Sequence, residues 1–253
     1  MKKLLILISA LASFYTIDAQ ARKMQNLSTF GEKKLHFGFS LAANGYDARI
    51  TNWPTLGANP DYKEEDFVVG TVAPNSVLRA DVVGLTPGIT VNLIGSVKLS
   101  NDFSLRFTPG LSITTQKIHF NEPIYDVFES AGAIDAYSKR MTWVDFPLLI
   151  KYQARRINNN RPYVVAGASA RYLATKTGRE DLITFNNMAY YLELGVGWDT
   201  FMSFFKLSTE FKVCIGLNDI LDRTWKEQQR NYYTQSIRNY TLNIFVLSFH
   251  FEM

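Results

Sequence analysis

The residues of this chain that could do chemistry most directly are a histidine and two nearby acids. His119 is followed by Glu122 and Asp126. A histidine beside a carboxylate is a common general base, so the cluster would suit a hydrolase or an acyltransferase. No second histidine or serine converges on these residues by spacing. A histidine that makes only a surface hydrogen bond explains the same residues without catalysis, as structural roles do for His36 and His250.

A second group of ionisable residues is spread along the chain and shares one property. Each lies on the polar side of a segment in which polar and apolar residues alternate. The group comprises Arg106, Asp145, Lys151, Arg171, Glu193, Glu210 and Lys212. Because both signs occur in similar number, we expect a network of ion pairs, in which Arg106 meets Glu193, Glu210 or Asp145.

Alternating segments position these charges. The stretch FSLRFTPGLSI, residues 103–113, places Phe103, Leu105 and Phe107 on one side and Arg106 on the other. This period of two is that of a β-strand. Eight such segments follow one another, and no comparable stretch has a helical period. They begin with KKLHFGFSLAANGY and end with NYTLNIFVLSFHFE, whose stronger apolar row is Phe245, Leu247, Phe249 and Phe251.

The connections between the segments alternate between short and long. Short connections follow the second, fourth and sixth segments, whereas the long ones are residues 46–83, 121–139, 175–187 and 217–238. An antiparallel arrangement places all short turns at one end and all long loops at the other. Outer-membrane barrels have this asymmetry, with short periplasmic turns and longer extracellular loops.

The composition of the two faces distinguishes a membrane barrel from a soluble one. The polar faces are rich in Gly, Ser, Ala and Thr, which suits a crowded interior better than a solvated surface. Aromatic residues gather at segment ends, as in the girdles of membrane barrels: Trp143 and Tyr152, Tyr163 and Tyr172, Tyr190 and Trp198, and Phe204 and Phe205. We therefore predict an all-β fold, an eight-stranded antiparallel closed transmembrane β-barrel. A soluble periplasmic ligand-binding barrel is the alternative.

The N-terminus predicts export from the cytoplasm. Lys2 and Lys3 precede a mostly apolar run and a small-residue end at Ala19. This is typical of a secretory signal peptide, and the apolar run is too short to span a membrane. We expect a signal peptide at 1–19, a short periplasmic lead at 20–32 and one barrel domain at 33–253. The predicted location is the outer membrane of a Gram-negative bacterium.

Composition argues against several other classes of protein. The net charge of +4 over 253 residues, without a basic cluster beyond Arg155 and Arg156, does not indicate nucleic-acid binding. The single cysteine, Cys214, rules out a cysteine-rich metal site and an internal disulfide. We expect no metal, no cofactor and no catalytic residue, and outer-membrane lipid as the surroundings of the wall.

Several stretches, in their order along the chain, resemble one family. They are KLHFGFSLAANGYD, VDFPLLIKY, RPYVVAGASARY, YYLELGVGWD, FKLSTEFKVCIGLNDIL and the closing YYTQSIRNYTLNIFVLSFHFE. The chain is similar to the PorT (SprT) proteins of the type IX secretion system of Bacteroidetes. This resemblance implies an outer-membrane barrel tied to protein secretion and, in some species, to gliding motility. It implies partners among other secretion-system proteins and supplies no catalytic residues.

Three functions stay open on the sequence alone. The leading one is a structural, accessory or translocation-associated component of a secretion machine. About eight strands leave an interior only wide enough for side chains, and lumen-facing residues such as Trp143 and Tyr163 should plug it, so a lone conducting barrel is disfavoured. The others are a membrane-embedded enzyme built on His119 and the soluble binding barrel. The loop at 217–238 is a possible partner surface or simply a solvated loop, with the aromatic residues Trp225, Tyr232 and Tyr233.

Overall fold

The computed structural model describes most of the chain after the predicted signal peptide. The described residues are 26–27, 30, 33–62, 75–82, 84–121, 137–176, 181, 183–223 and 232–253. The predicted signal peptide, the acids Glu122 and Asp126, and Trp225 lie outside them. Within the described part, no helix is long and apolar enough to cross a membrane.

Ten strand segments form one antiparallel sheet, and they are separated by loops and two short helices. A 3-10 helix covers Leu56–Ala58 and an α-helix, α1, covers Tyr232–Ser236. The strands are β1 Leu35–Asn52, β2 Ala80–Val82, β3 Thr86–Lys98, β4 Phe103–Phe107, β5 Gly110–Phe120, β6 Tyr137–Gln153, β7 Asn160–Leu173, β8 Met188–Phe201, β9 Lys206–Gly216 and β10 Ile237–Glu252.

The sheet closes on itself through its first barrel strand. β1 pairs with β10 on one side and with β3 on the other, and the intervening strands pair in sequence order. β2 adds only a three-residue pairing at the outer end of β5. Closure leaves no open edge in lipid, where unpaired backbone groups would cost several kcal/mol each. The prediction of a closed antiparallel barrel is confirmed.

β4 and β5 together make up one barrel strand, so the barrel has eight strands. Phe107 lies opposite Leu148 and Gly110 lies opposite Asp145, so the register against β6 continues without a shift across the gap. The gap falls at Pro109, which has no N–H to donate to a ladder. The Pro109 carbonyl still accepts a hydrogen bond from Leu93 N at 2.9 Å.

The apolar rows point outward and the polar rows point into the lumen. Phe37, Leu93 and Leu194 are exposed, whereas Arg106 and Glu193 are fully buried. The ambiguous last strand follows the same rule, because Phe245, Leu247 and Phe249 are exposed. Such an outer surface needs a hydrocarbon environment, which argues against the soluble barrel.

Two aromatic residues assigned to the girdles lie elsewhere. Trp143 and Tyr163 are buried in the lumen, where alternation places them, so their place in the girdle prediction is wrong. The strand period explains the difference. Trp143 shares a face of β6 with the buried Asp145, and Tyr163 shares a face of β7 with the buried Val165 and Arg171. Their predicted partners Tyr152 and Tyr172 do face outward.

Candidate functional site: the lumen and its two ends

The periplasmic half of the lumen is filled by ion pairs that link distant strands. The Lys151 ammonium group lies 2.8 and 2.7 Å from the two carboxylate oxygens of Asp199. Arg106 donates from Nη1 to Glu210 Oε2 at 2.7 Å and lies 3.4 Å from Glu252. These pairs join β4, β6, β8, β9 and β10 across the interior.

A third cation, Lys206, completes this layer. Lys206 Nζ lies 2.8 Å from Glu252 Oε2, so Glu252 is shared between Lys206 and Arg106. His250 Nε2 lies 3.6 Å from the other oxygen of Glu210. A buried charge left alone would be strongly destabilising, so each member of the layer depends on its partners.

Two further pairs stand above this layer, toward the extracellular end. Lys212 Nζ lies 2.7 Å from Glu193 Oε2, and Arg171 Nε lies 3.3 Å from Asp145 Oδ1. All four side chains are buried. Together these two groups of pairs join five basic to five acidic side chains: Arg106, Lys151, Arg171, Lys206 and Lys212 with Asp145, Glu193, Asp199, Glu210 and Glu252.

The structure places all seven sequence-predicted network residues in the lumen and adds three more. Of the three expected partners of Arg106, the contacting one is Glu210. The sequence reasoning missed Asp199, Lys206 and Glu252. Asp199 and Lys206 stood on the polar sides of their segments and could have been included. Glu252 was hidden by the ambiguous phase of β10, although it follows the outward row of that strand by one residue.

Aromatic rings close the remaining space between the charges. The Tyr163 hydroxyl donates to Glu210 at 2.9 Å, and its ring lies 3.6 Å from Lys151 Nζ. Gly197 makes room for this ring, because a Cβ at that position would collide with Tyr163. The Tyr163 ring thus fills space between Lys151 and Glu210 in the charged layer.

The extracellular half of the interior is mainly aromatic and aliphatic. Trp143, Tyr46, Tyr191 and Tyr240 are fully or almost fully buried there. The hydroxyls of Tyr191 and Tyr240 have no hydrogen-bond partner among the described residues. This composition makes the upper layer a packed apolar core rather than a polar vestibule.

Extracellular loop residues fold down onto that core and seal it. Phe185 and Leu221 form an isolated β-bridge and are both buried, and the Phe185 ring packs edge-on against Tyr240. We call this part of the structure the extracellular cap. Its other buried apolar loop residues are Leu56, Leu78, Ile183, Ile220 and Tyr233.

The periplasmic mouth, in contrast, contains a cavity of about 200 Å³. Its polar lining includes five basic side chains, and its apolar walls are Phe30 and Phe201. Burial and the neighbouring Arg161 lower the pKa of Arg156 below the ordinary arginine value. The five basic residues are Lys98, Lys151, Arg156, Arg161 and Lys206.

The remaining candidate residues do not assemble into a described catalytic site. His119 is partly exposed on β5 and lies opposite Asp81 of β2, while Glu122 and Asp126 are outside the described residues. In the possible partner loop, Tyr233 is buried and packs against Phe120. Among the described residues, no group of three or more His, Cys, Asp or Glu side chains could hold a metal ion.

Comparison with known proteins gives one family and several distant structures. The model of the outer membrane protein beta-barrel domain family matches residues 19–222. No curated protein matches the chain.

Three of the matching solved structures show how low the sequence identity is. Neisserial surface protein A (NspA) has 11% identity and a TM-score of 0.43, with 85% of this chain and 96% of that chain covered. OprG from Pseudomonas aeruginosa has 10% identity and a TM-score of 0.47, with 87% of this chain and 95% of that chain covered. The outer membrane protease OmpT from Escherichia coli has 10% identity and a TM-score of 0.37, with 92% of this chain and 99% of that chain covered. Likeness at this level carries no inference about function.

The family match agrees with the geometry already described. The matched region contains most of the barrel strands, and the exposed apolar rows require lipid around them. The soluble periplasmic alternative is therefore wrong. The chain belongs to the outer membrane protein beta-barrel domain family and is an outer-membrane β-barrel protein.

Proposed function

We propose that this barrel is a structural or accessory component of a protein secretion machine in the outer membrane. It works through its two ends and its wall, and it conducts nothing through its lumen. The observation that carries the proposal is the filled interior, in which buried ion pairs stand below a buried aromatic layer.

Physical considerations support a non-conducting role. An eight-stranded barrel has an interior just wide enough for side chains. Here that interior contains large rings such as Trp143 and Tyr163 in addition to five ion-paired cations. Opening a path would require separating buried opposite charges, which is costly. A protein substrate would therefore have to pass beside this barrel rather than through it.

The type IX assignment rests on the resemblance to PorT (SprT) proteins. That resemblance covers nearly the whole chain after the predicted signal peptide, and it implies contacts with other secretion-system proteins and, in some species, a role in gliding motility. Trp225, Tyr232 and Tyr233 stay candidates for a partner surface. The buried side chain of Tyr233 suits a role in holding the loop rather than in direct contact.

We also infer that the protein is not an enzyme. The hydrolase or acyltransferase alternative needs a base, an acid and a substrate pocket to meet. His119 lies on the outward side of β5, partly exposed, and the cavity at the periplasmic mouth lies at the opposite end of the barrel. The proposed role therefore needs no chemistry at His119.

The test is a deletion strain complemented with defined variants. We expect loss of type IX cargo from the culture medium and full recovery with the wild-type gene and with His119→Ala. Normal cargo secretion in the deletion strain would refute the secretion role. Failure of His119→Ala to restore secretion, at normal protein level, would favour the enzyme.

Recordings of the purified protein in a planar lipid bilayer test the proposal that the barrel conducts nothing through its lumen. We expect no steady single-channel conductance, because the lumen is filled. A stable open channel of the wild-type protein would contradict the non-conducting role.

A further inference from the structure

The cavity at the periplasmic mouth gathers positive charge from separate parts of the chain. Lys98 ends β3, Arg156 lies in the turn after β6, Arg161 lies near the start of β7, and Lys206 starts β9. None of the described residues that line the cavity carries a carboxylate. Barrel closure alone brings these cations to one opening.

The charges differ in how they are compensated. Lys206 is paired with Glu252 and belongs to the lumen network. Within the described part of the chain, Arg156 donates to uncharged oxygens, among them the Asn158 carbonyl at 2.8 Å and the Asn159 side chain at 2.9 Å. Arg161 likewise donates to the carbonyls of Ala154 and Asn101, each at 2.7 Å. Among the described residues no carboxylate contacts either guanidinium group, and Asp199 and Asp102 act on Arg161 only from a longer distance.

The surroundings of the mouth add further positive charge. Lys33, Lys34 and Arg155 are exposed beside it. In the described periplasmic turns, 99–102, 154–159 and 202–205, the acidic side chain is Asp102 alone. Clustered charge of one sign at a cleft raises the local concentration of oppositely charged ligands.

The walls of the cavity are built from the N-terminal lead and β8. The Phe30 ring stacks on His36 with centroids 4.0 Å apart and meets Phe201 edge-on. The Arg156 guanidinium lies 3.7 Å from the centre of the Phe201 ring. Asn26 anchors the lead, because its side chain donates to the Phe201 carbonyl at 3.1 Å.

Size and position select the kind of ligand. A volume of about 200 Å³ equals that of about seven waters, which is room for an acidic side chain and a few waters. The lining includes the lumen-facing residues His36, Ser96 and Ser104, so the cavity opens along the barrel axis and away from lipid headgroups. Exposed apolar residues of the turns, Leu99, Ile157 and Phe204, flank the opening.

We propose that the periplasmic mouth binds an acidic peptide segment of a periplasmic protein, with a carboxylate side chain inserted between Arg156 and Arg161. Neighbouring apolar residues of the peptide pack on the turns. In each guanidinium group Nε and Nη2 already donate to protein oxygens, so Nη1, which has no acceptor among the described contacts, donates the charge-assisted hydrogen bond to the carboxylate. The inference rests on the barrel and its mouth and is independent of the secretion role.

The test uses the full chain in nanodiscs of zwitterionic lipid. The probes are the fluorescein-labelled peptide Phe-Glu-Glu-Glu-Glu-Phe and the same peptide with Gln in place of Glu, and the readout is fluorescence anisotropy. We expect the Glu peptide to bind more tightly than the Gln peptide and to be released by salt. The double variant Arg156→Gln/Arg161→Gln should weaken Glu-peptide binding at least about tenfold, because charge-assisted hydrogen bonds are lost.

Matched variants separate charge from turn structure. Arg156→Lys/Arg161→Lys keeps the charge and should retain most of the affinity, and Lys98→Gln should weaken it. Lys117→Gln/Arg140→Gln removes two exposed cations near the extracellular end of β5 and β6 and should bind like wild type. Heat-modifiable migration in gels checks that each variant is folded.

Four results would overturn the proposal. They are equal affinity for the Glu and Gln peptides, no change in the Arg→Gln double variant, an equal loss in the Lys117/Arg140 control, and binding of inorganic phosphate at the mouth with no binding of the Glu peptide. The last result would show that the mouth takes a small anion instead of a peptide.

Discussion

The two ends of the barrel interior are closed in different ways. At the extracellular end, Phe185 and Leu221 lie over buried aromatic rings in a largely apolar cluster. At the periplasmic end, charged side chains surround a cavity. The difference follows from connection length, because turns of four to six residues at 99–102, 154–159 and 202–205 are too short to fold over the opening. Long loops can form a cap, and short turns leave a mouth.

The two halves should also respond differently to mutation. The periplasmic half relies on paired charges, whose loss leaves a partner buried without compensation. The extracellular half is stabilised by the packing of large side chains. Truncating one of them leaves a cavity that the loops can partly fill. Three experiments, ordered by expected effect, test this difference.

Arg106→Ala should have the largest effect. It removes the shared partner of Glu210 and Glu252 and leaves both carboxylates in the lumen with fewer compensating charges. We expect the free energy of unfolding to fall by about 3–5 kcal/mol. Urea unfolding in detergent micelles, followed by tryptophan fluorescence, measures it. Arg106→Lys keeps the charge and should lose less. Equal stability of Arg106→Ala and wild type would show that the ion pairs do not hold this half together.

Leu221→Ala should cost less and should not open the barrel. Leu221 is buried in the extracellular cap, and its truncation should lower the free energy of unfolding by about 2–3 kcal/mol. The charged layer below still fills the lumen, so planar-bilayer recordings should show no channel. Steady conductance of this variant would mean that the cap, and not the ionic layer, is the barrier.

Substitutions of two tyrosines in the extracellular half, Tyr46 and Tyr240, should give the smallest effects. The Tyr46 hydroxyl is hydrogen-bonded to Ser112 at 2.5 Å, whereas the Tyr240 hydroxyl has no partner among the described residues. Tyr46→Phe should lower the free energy of unfolding by about 1 kcal/mol, while Tyr240→Phe should be neutral or slightly stabilising. The same urea titration compares them, and a larger loss for Tyr240→Phe would contradict the apolar nature of the upper layer.

The strand period was enough to predict the wall of the barrel. Alternation assigned Phe103 and Leu105 to lipid and Arg106 to the lumen, because a period of two leaves few choices once one face must be apolar. It also placed Trp143 and Tyr163 in the lumen, where both are buried, whereas their assignment to the girdles, made from residue type, was wrong. A large ring in a lumen row fills space, so the position in the period is the better guide.

Contacts between strands distant in sequence could not be predicted. Alternation allowed three partners for Arg106, and only the registers of β9 and β10 bring Glu210 and Glu252 to it. The basic mouth was also missed, because Lys98, Arg156 and Lys206 come from three hairpins that meet only on closure. The extracellular cap depends on loop packing, for which the sequence has no periodic signal.

The pairing of Arg106 with Glu252 has a consequence for how the barrel assembles. These residues are 146 positions apart, and Glu252 lies at the end of the final strand. A partly assembled sheet that lacked β10 would hold Arg106 and Lys206 without this shared counter-ion. Without β10, Lys206 would lack its paired carboxylate and Arg106 would keep Glu210 alone, so the charged layer is complete only after the last strand has paired.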